Sequence, residues 1–225
     1  MFRRLNVICT LLIMSLVLAA SADAIVRVAP RWNFTEVYVQ GGAPVGSYNG
    51  IPTLPFPRGA EFDGSDMWES GLALGVNIGQ VRQHRFAYSI GFRFISSDLK
   101  TNQFDYTDGN IDYRLTIEPF NMYQYDLDVN FNVFLLPLDR SNISPYVGFG
   151  TSAGFTHLDW QSLPGENSAN IALNLNFGAE LRLGQPGADR NFVSLVSTNG
   201  WNIVASDDRP RYLWFGGALK YYFKL

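Results

Sequence analysis

Residues 123–133 read Tyr-Gln-Tyr-Asp-Leu-Asp-Val-Asn-Phe-Asn-Val, and this stretch decides the fold class. Every odd-numbered position carries an apolar or aromatic side chain, and every even-numbered position carries Gln, Asp or Asn. Successive side chains of a β-strand point to opposite faces, whereas a helix would scatter the polar side chains around its circumference. The stretch therefore predicts a strand with one apolar face and one polar face.

The same alternation recurs along the chain between segments that carry turn residues. The clear examples are residues 71–79, 85–94, 146–155, 170–183 and 213–225. A first strand around residues 35–40 is less regular, and residues 191–197 read as a strand whose phase the sequence leaves open. Together with 123–133 the pattern predicts eight strands, although any one of them taken singly would also fit a soluble β-sandwich.

The N-terminus has the order of features typical of a secretory signal peptide. Arg3 and Arg4 precede an uncharged, mostly apolar run from Ile8 to Ala20, and Ala22-Asp23-Ala24 supplies small residues for a cleavage site. An uncleaved anchor is the alternative, but a spanning helix needs about 20 apolar residues, more than this run contains. We expect cleavage after Ala24, so that residues 1–24 are the signal peptide and residues 25–225 form one barrel domain.

Composition argues against several classes of function. The only cysteine, Cys9, lies in the signal segment, so the mature domain is expected to have no disulfide and no thiolate metal site. The net charge of −3 argues against nucleic acid, which requires clustered Lys and Arg. No later segment reads as a spanning helix, so a membrane-spanning chain would close its backbone hydrogen bonds between strands. We expect no metal and no cofactor, since no motif for either is present.

The connections between the predicted strands alternate in length. Short ones are expected at 80–84, 136–143 and 184–189, and long ones at 42–66, 96–120, 157–169 and 198–209. Outer-membrane barrels show this asymmetry, with short periplasmic turns and longer extracellular loops. The long loops are together net acidic, which would suit divalent cations bridging to lipopolysaccharide or a basic partner. Acidic loops that merely remain soluble are the alternative.

These features resemble the small eight-stranded outer-membrane barrels of the OmpA/OmpX type. The resemblance rests on the alternating strands, on Gly42-Ala-Pro-Val-Gly-Ser-Tyr48, and on the C-terminal Leu219-Lys-Tyr-Tyr-Phe-Lys-Leu225. It implies an all-β, eight-stranded antiparallel up-and-down transmembrane barrel with long extracellular loops in a bacterial outer membrane. It also implies contact with lipid and lipopolysaccharide, and recognition of the C-terminal strand by the barrel-assembly machinery. The chain departs from the family in ending on Leu225, with Phe223 two residues earlier.

The strand phases predict that eight charged side chains point into the barrel. They are Glu36, Arg85, Arg93, Asp126, Asp128, Glu180, Arg182 and Lys220. An eight-stranded barrel is just wide enough for side chains to fill, and unpaired buried charges are costly. We therefore expect a polar plug and a structural or surface-interaction role. A small gated channel is the alternative.

A catalytic site has little support in the sequence. Nucleophilic catalysis needs a hydroxyl within hydrogen-bond reach of an oriented base, and His157 with Ser152 or Thr156 and Asp159 is the one local set. Thr156 and His157 would face opposite sides of a strand, so we expect no enzyme. A surface enzyme acting on lipid or peptide is a less favoured alternative. A soluble lipocalin-like carrier is disfavoured because its strands turn apolar side chains inward around a ligand.

Residues 98–118 are predicted to form a hairpin that extends strands three and four beyond the membrane. Asp108-Gly109 is a tight-turn signal between two alternating segments. The exposed edges of such a ribbon can bind another chain by strand addition, in which main-chain hydrogen bonds supply the affinity. Tyr106, Tyr113 and Leu115 are the expected apolar contacts, and the surrounding aspartates would select a basic protein partner.

Overall fold

Eight strands hydrogen-bond to their neighbours in a closed antiparallel barrel. Strand β1 closes the ring against the last strand in a register that pairs Glu36 with Lys220. A closed barrel has no free edge, so its backbone groups are paired between strands. In chain order the strands are β1 (Arg31–Val45), β2 (Gly71–Arg82), β3 (Phe86–Asp98), β4 (Phe120–Phe134), β5 (Ile143–Trp160), β6 (Glu166–Leu183), β7 (Phe192–Ala205) and β8 (Arg211–Phe223). The predicted all-β, eight-stranded antiparallel barrel is confirmed.

These features belong to a computed structural model, which describes residues 31–45, 47–48, 50–51, 54–55, 62–63, 68–100, 103–108, 111–116, 118–184, 191–205 and 211–224. The predicted signal segment and its cleavage after Ala24 lie outside the described residues. Within the described residues, no helix is long and apolar enough to cross a membrane.

The outer surface of the barrel is an apolar belt, because the apolar members of each alternating strand point outward. Val37 is 63% exposed, Ile78 58% and Leu127 54%, which would be unfavourable over so wide a surface in water. We call the following outward residues the apolar belt: Val37, Val39, Leu72, Leu74, Val76, Ile78, Ile90, Phe92, Leu127, Val147, Phe149, Phe155, Leu175, Leu181, Leu195, Trp201, Phe215 and Leu219.

The structure assigns the phase of β7, which the sequence left open. Ser194, Val196, Thr198 and Asn202 are buried inside the barrel, so the odd-numbered residues from Val193 to Trp201 face outward. The register against β6 shifts between Leu173 and Asn174, which marks a bulge or irregularity near the C-terminal end of β7. The phase was hidden in the sequence because polar side chains occur on both faces of β7.

The connections differ from the prediction at one end of the barrel. We call this end the loop end and the opposite end, where β1 begins and β8 finishes, the terminal end. At the loop end β5 continues to Trp160 and β6 begins at Glu166, while β7 continues to Ala205 and β8 begins at Arg211. The predicted long connections 157–169 and 198–209 are therefore mostly strand. The apolar alternation ends before these strands do, because antiparallel pairing needs no apolar face. The long connections of the barrel are 46–70 and 99–119.

The predicted ribbon is present as backbone pairing. Gln103–Asp108 pairs antiparallel with Ile111–Thr116, and these two segments form a two-stranded sheet separate from the barrel sheet. They are therefore not hydrogen-bonded continuations of β3 and β4 within one sheet. Asp108 pairs with Ile111, so Asp108 belongs to the strand rather than to the turn. Residues 109–110, including the Gly of the predicted Asp108-Gly109 turn, lie outside the described residues.

Candidate functional site: the barrel interior

An arginine on β3 holds two carboxylates of β4 in the middle of the interior. Arg93 Nη2 lies 3.4 Å from Asp126 Oδ2 and 3.4 Å from Asp128 Oδ1. Tyr38 on β1 donates a hydrogen bond of 3.3 Å to Asp128 Oδ2 from across the interior. All four side chains are buried. We call Tyr38, Arg93, Asp126 and Asp128 the arginine cluster.

A second ionic group lies on the β1–β8 side of the interior. Lys220 Nζ lies 3.2 Å from Glu180 Oε2 and 3.8 Å from Glu36 Oε1. Tyr222 donates to Glu180 Oε2 at 2.8 Å, and Asn77 Nδ2 donates to Glu36 Oε2 at 3.0 Å. These hydrogen bonds replace part of the hydration that the carboxylates lose on burial. We call Lys220, Glu36, Glu180, Tyr222 and Asn77 the lysine cluster.

Two of the eight predicted interior charges, Arg85 and Arg182, belong to neither cluster. Arg85 is exposed, because residues 83–85 form the turn between β2 and β3 and the inward alternation begins only after the turn. The prediction of an inward Arg85 is wrong for that reason. Arg182 is buried, but it lies at the terminal end, where Nη1 donates to the Leu138 carbonyl oxygen at 3.2 Å. Its guanidinium lies 3.8 Å from the centre of the Phe192 ring.

An apolar layer fills the terminal end of the interior. Trp32 packs edge-on against Phe192 at 5.0 Å between ring centres, and Phe192 stacks on Tyr222 at 4.4 Å. Leu138 reaches this layer from the connection between β4 and β5 and is 2% exposed. The layer consists of Trp32, Phe34, Tyr38, Val81, Ala87, Phe134, Leu138, Tyr146, Phe192, Val196, Ala218 and Tyr222. Sequence reasoning missed it, although Trp32, Phe34 and Tyr222 occupy inward positions of their strands.

A second apolar layer fills the loop end. Trp160 lies 4.5 Å from Phe120 between ring centres, and Trp68 lies 5.7 Å from Phe120 on its other side. Trp214 is 2% exposed and donates from Nε1 to Asn202 Oδ1 at 2.7 Å. Its ring occupies the space over Gly42, where a Cβ would lie 2.5 Å from Trp214 Cζ3. The loop-end layer consists of two groups of buried apolar side chains. Ala73, Ile95, Tyr212 and Trp214 form one cluster, and Trp68, Phe120 and Trp160 form the other, with Met122 and Leu158 buried at the same end.

Between the two apolar layers the interior contains a cavity of about 60 Å³. Its walls include side chains of both ionic clusters together with Asn130, Asn132, Asn174 and Asn176. A water molecule requires roughly 10–15 Å³ of such space, so the cavity has room for a few waters. The arrangement is a polar middle layer with an apolar layer toward each end, rather than a polar plug along the whole axis.

The catalytic alternative is not assembled. Ser152 and Thr156 are buried inside the barrel, whereas His157 points outward and its Nδ1 lies 2.9 Å from Asn167 Oδ1. Alternation along β5 places the hydroxyls of Ser152 and Thr156 on the opposite face of the strand from the His157 imidazole. In the part of the chain that the structure describes, no group of three His, Cys, Asp or Glu residues is placed to hold a metal ion.

The ribbon carries one ion pair across its two strands. Arg114 donates from Nε to Asp105 Oδ1 at 2.7 Å and from Nη2 to Asp105 Oδ2 at 3.0 Å. The pair lies directly opposite in the register and is solvent-exposed. Of the predicted contact residues, Tyr106 pairs in register with Tyr113, and Leu115 pairs with Phe104.

The hydrogen bonds from Arg114 lower the pKa of Asp105, because they favour the charged carboxylate. A lowered pKa means that the contribution of this pair to the ribbon is present above the ordinary Asp pKa and is lost as pH falls through the lowered value. Carbon-detected NMR of the Asp105 carboxyl should give a midpoint below about 3.9. In Arg114→Gln the midpoint should return to the ordinary range. Identical midpoints in both proteins would contradict the pairing.

No protein-family model matches this sequence, and no curated protein matches it in sequence. Among solved structures, the outer membrane protein OprG from Pseudomonas aeruginosa is similar, with a TM-score of 0.53 and 12% identity over 88% of this chain and 98% of that chain. Neisserial surface protein A aligns over 88% of this chain and 100% of that chain, with a TM-score of 0.47 and 8% identity. The barrel geometry and the similarity to OprG show that this chain has the fold of the small eight-stranded outer-membrane β-barrels, as the sequence resemblance predicted.

Proposed function

We propose that this protein is a non-conducting, non-enzymatic barrel of a bacterial outer membrane, which anchors a surface-interaction element. The apolar belt supports the membrane location, because such a surface is stable in hydrocarbon and not in water. The observation that supports a non-conducting role is that buried apolar side chains occupy both ends of the interior. The loop end then faces the outside of the cell, and the ribbon stands on that side.

The membrane location can be tested by charge substitution at two depths of β5. Phe149 lies midway between Ile143 and Phe155, the first and last exposed large apolar residues of this strand, and Ile143 lies at the terminal end. Phe149→Arg should cost about 2–4 kcal/mol of folding free energy in lipid vesicles, whereas Ile143→Arg should cost about 0–1 kcal/mol. Urea titration of folding into vesicles measures both. Equal costs at the two depths would contradict a bilayer around the belt.

The small channel remains the second candidate, since the cavity touches both ionic clusters. Conduction would require both apolar layers to move aside. Conductance measured in a planar bilayer distinguishes the two candidates. The proposed non-conducting barrel should show no steady current, whereas a channel should show one.

The ribbon is the proposed interaction element. Its two strands pair only with each other among the described residues, so each has one edge whose backbone groups are open to strand addition. Asp105, Asp108 and Asp112 lie along it, with Arg114 the basic residue that pairs with Asp105. A basic, extended segment is therefore the partner chemistry that fits.

Deletion of residues 102–114 should remove binding and leave the barrel folded. The protein in lipid nanodiscs should bind a peptide of alternating Lys and Val and not the matched Glu and Val peptide, as measured by fluorescence anisotropy. The deletion variant should lose at least tenfold in affinity while keeping its heat-modifiable migration on gels. Unchanged affinity in the deletion variant would exclude the ribbon as the binding element. Slow amide exchange across Ile111–Thr116 in the intact protein checks that the ribbon persists in lipid.

A further inference from the structure

Two polar side chains interrupt the apolar belt on β7. Ser197 and Asn199 occupy outward positions between Leu195 and Trp201, which are large, exposed and apolar. Asn199 Nδ2 donates to Ser197 Oγ at 3.2 Å, so the two side chains lie together on the outer face.

The pair lies near the middle depth of the belt. Asn199 is opposite Phe177 on β6, and Phe177 is midway between Leu173 and Leu183 among the outward residues of that strand. On the other side Asn199 is opposite Phe215, in the central part of β8. The two polar groups therefore face the hydrocarbon region rather than the headgroup region of a bilayer.

The residues next to Ser197 on the outer face are small. Ser197 lies in register between Ala179 and Gly217, so three small residues adjoin across β6, β7 and β8. The next outward row toward the terminal end holds Leu181, Leu195 and Leu219, all of them large and exposed. We call Ala179, Ser197, Asn199 and Gly217 the β7 groove.

Acyl chains can cover the β7 groove, but they cannot form hydrogen bonds with its polar side chains. Among the described residues, Asn199 Oδ1 has no hydrogen-bond donor within reach, and one amide proton of Asn199 remains unused by the bond to Ser197. Acyl chains offer neither donors nor acceptors, so an amide exposed to them loses the hydrogen bonds that it makes in water.

We propose that a second copy of this chain covers the β7 groove, in a two-fold symmetric dimer within the membrane. A carboxamide both donates and accepts, so two Asn199 side chains related by a two-fold axis satisfy each other. Small residues at the contact allow two backbones to approach closely, and in lipid such packing together with interchain hydrogen bonds drives association. The β7 groove supplies both conditions on a single patch, as a symmetric interface requires.

Cross-linking of the full mature chain in vesicles tests where two copies meet. The only cysteine of the chain is Cys9, so single cysteines can be introduced into residues 25–225 without interference. Ala179→Cys should form dimers on oxidation in vesicles at low protein-to-lipid ratio. Ile90→Cys is the matched control, because Ile90 is 46% exposed on β3, the strand opposite β7 in the barrel. Equal cross-linking at the two positions, or none at Ala179→Cys, would overturn the proposal.

Energy transfer between donor- and acceptor-labelled copies tests the role of the amide. Asn199→Leu should weaken association at least tenfold, and Asn199→Gln should retain most of it because the amide is kept. Thr151→Val is the matched control, since Thr151 is another outward hydroxyl within the span of the belt, on β5. Heat-modifiable migration verifies that each barrel is folded. Association that is unaffected by Asn199→Leu, or a monomer at every protein-to-lipid ratio, would contradict the dimer.

Discussion

Replacement of Arg93 by Met should destabilise the barrel by about 3–5 kcal/mol, because it leaves two buried carboxylates without their base. Arg93 contacts both Asp126 and Asp128 and is 6% exposed. Arg85→Met is the matched control at the start of the same hairpin. Arg85 is exposed in a turn, so its replacement should change stability by less than about 0.5 kcal/mol.

Equilibrium urea titration in lipid vesicles measures both variants. In Arg93→Met combined with Asp126→Asn and Asp128→Asn, much of the loss should be recovered, since the carboxylates that required the base are gone. Similar stabilities of Arg93→Met and Arg85→Met would show that the arginine cluster does not hold the interior together. A loss in the triple variant as large as in Arg93→Met would assign the effect to packing instead.

Replacement of Trp214 by Ala should cost about 3–5 kcal/mol, because the ring fills the loop-end layer and a cavity remains in its place. The change also removes the donor to Asn202. Trp201→Ala is the matched control, since Trp201 lies on β7 at the same end of the barrel but faces outward and is 44% exposed. Trp201→Ala should lose less folding free energy than Trp214→Ala, because acyl chains fill the space left outside the barrel, whereas no atoms replace the Trp214 ring inside it.

Conductance in planar bilayers completes this test. The unaltered protein should show no steady current, because buried apolar side chains occupy both ends of the interior. Trp214→Ala alone should also remain closed, since the terminal-end layer is intact in that variant. A steady current through the unaltered protein would favour the channel and would remove the closed interior as an argument for an anchoring role.

Seven of the eight predicted inward charges are buried, and the reason is geometric. In a closed barrel the face of a side chain depends only on whether its position along the strand is odd or even, and that parity is visible in residues such as Asp126, Asp128 and Glu180. Arg85 deviates because parity has meaning only within a strand, and β3 begins at Phe86. β7 shows a different limit, because Ser197 and Asn199 are polar residues on the outer face and the alternation of polarity therefore does not reveal which parity points inward.

The alternation of polar and apolar residues by itself determined the class of fold, the number of strands and the direction of most side chains. Which charges pair was decided only by the tertiary structure, because Tyr38 and Asp128 meet across the interior although they are 90 positions apart in sequence. The apolar layers at the two ends also required the tertiary structure. In the terminal-end layer, Trp32 and Phe192 are single large residues on separate strands, and their rings come into contact only when closure of the barrel brings the two inward faces together.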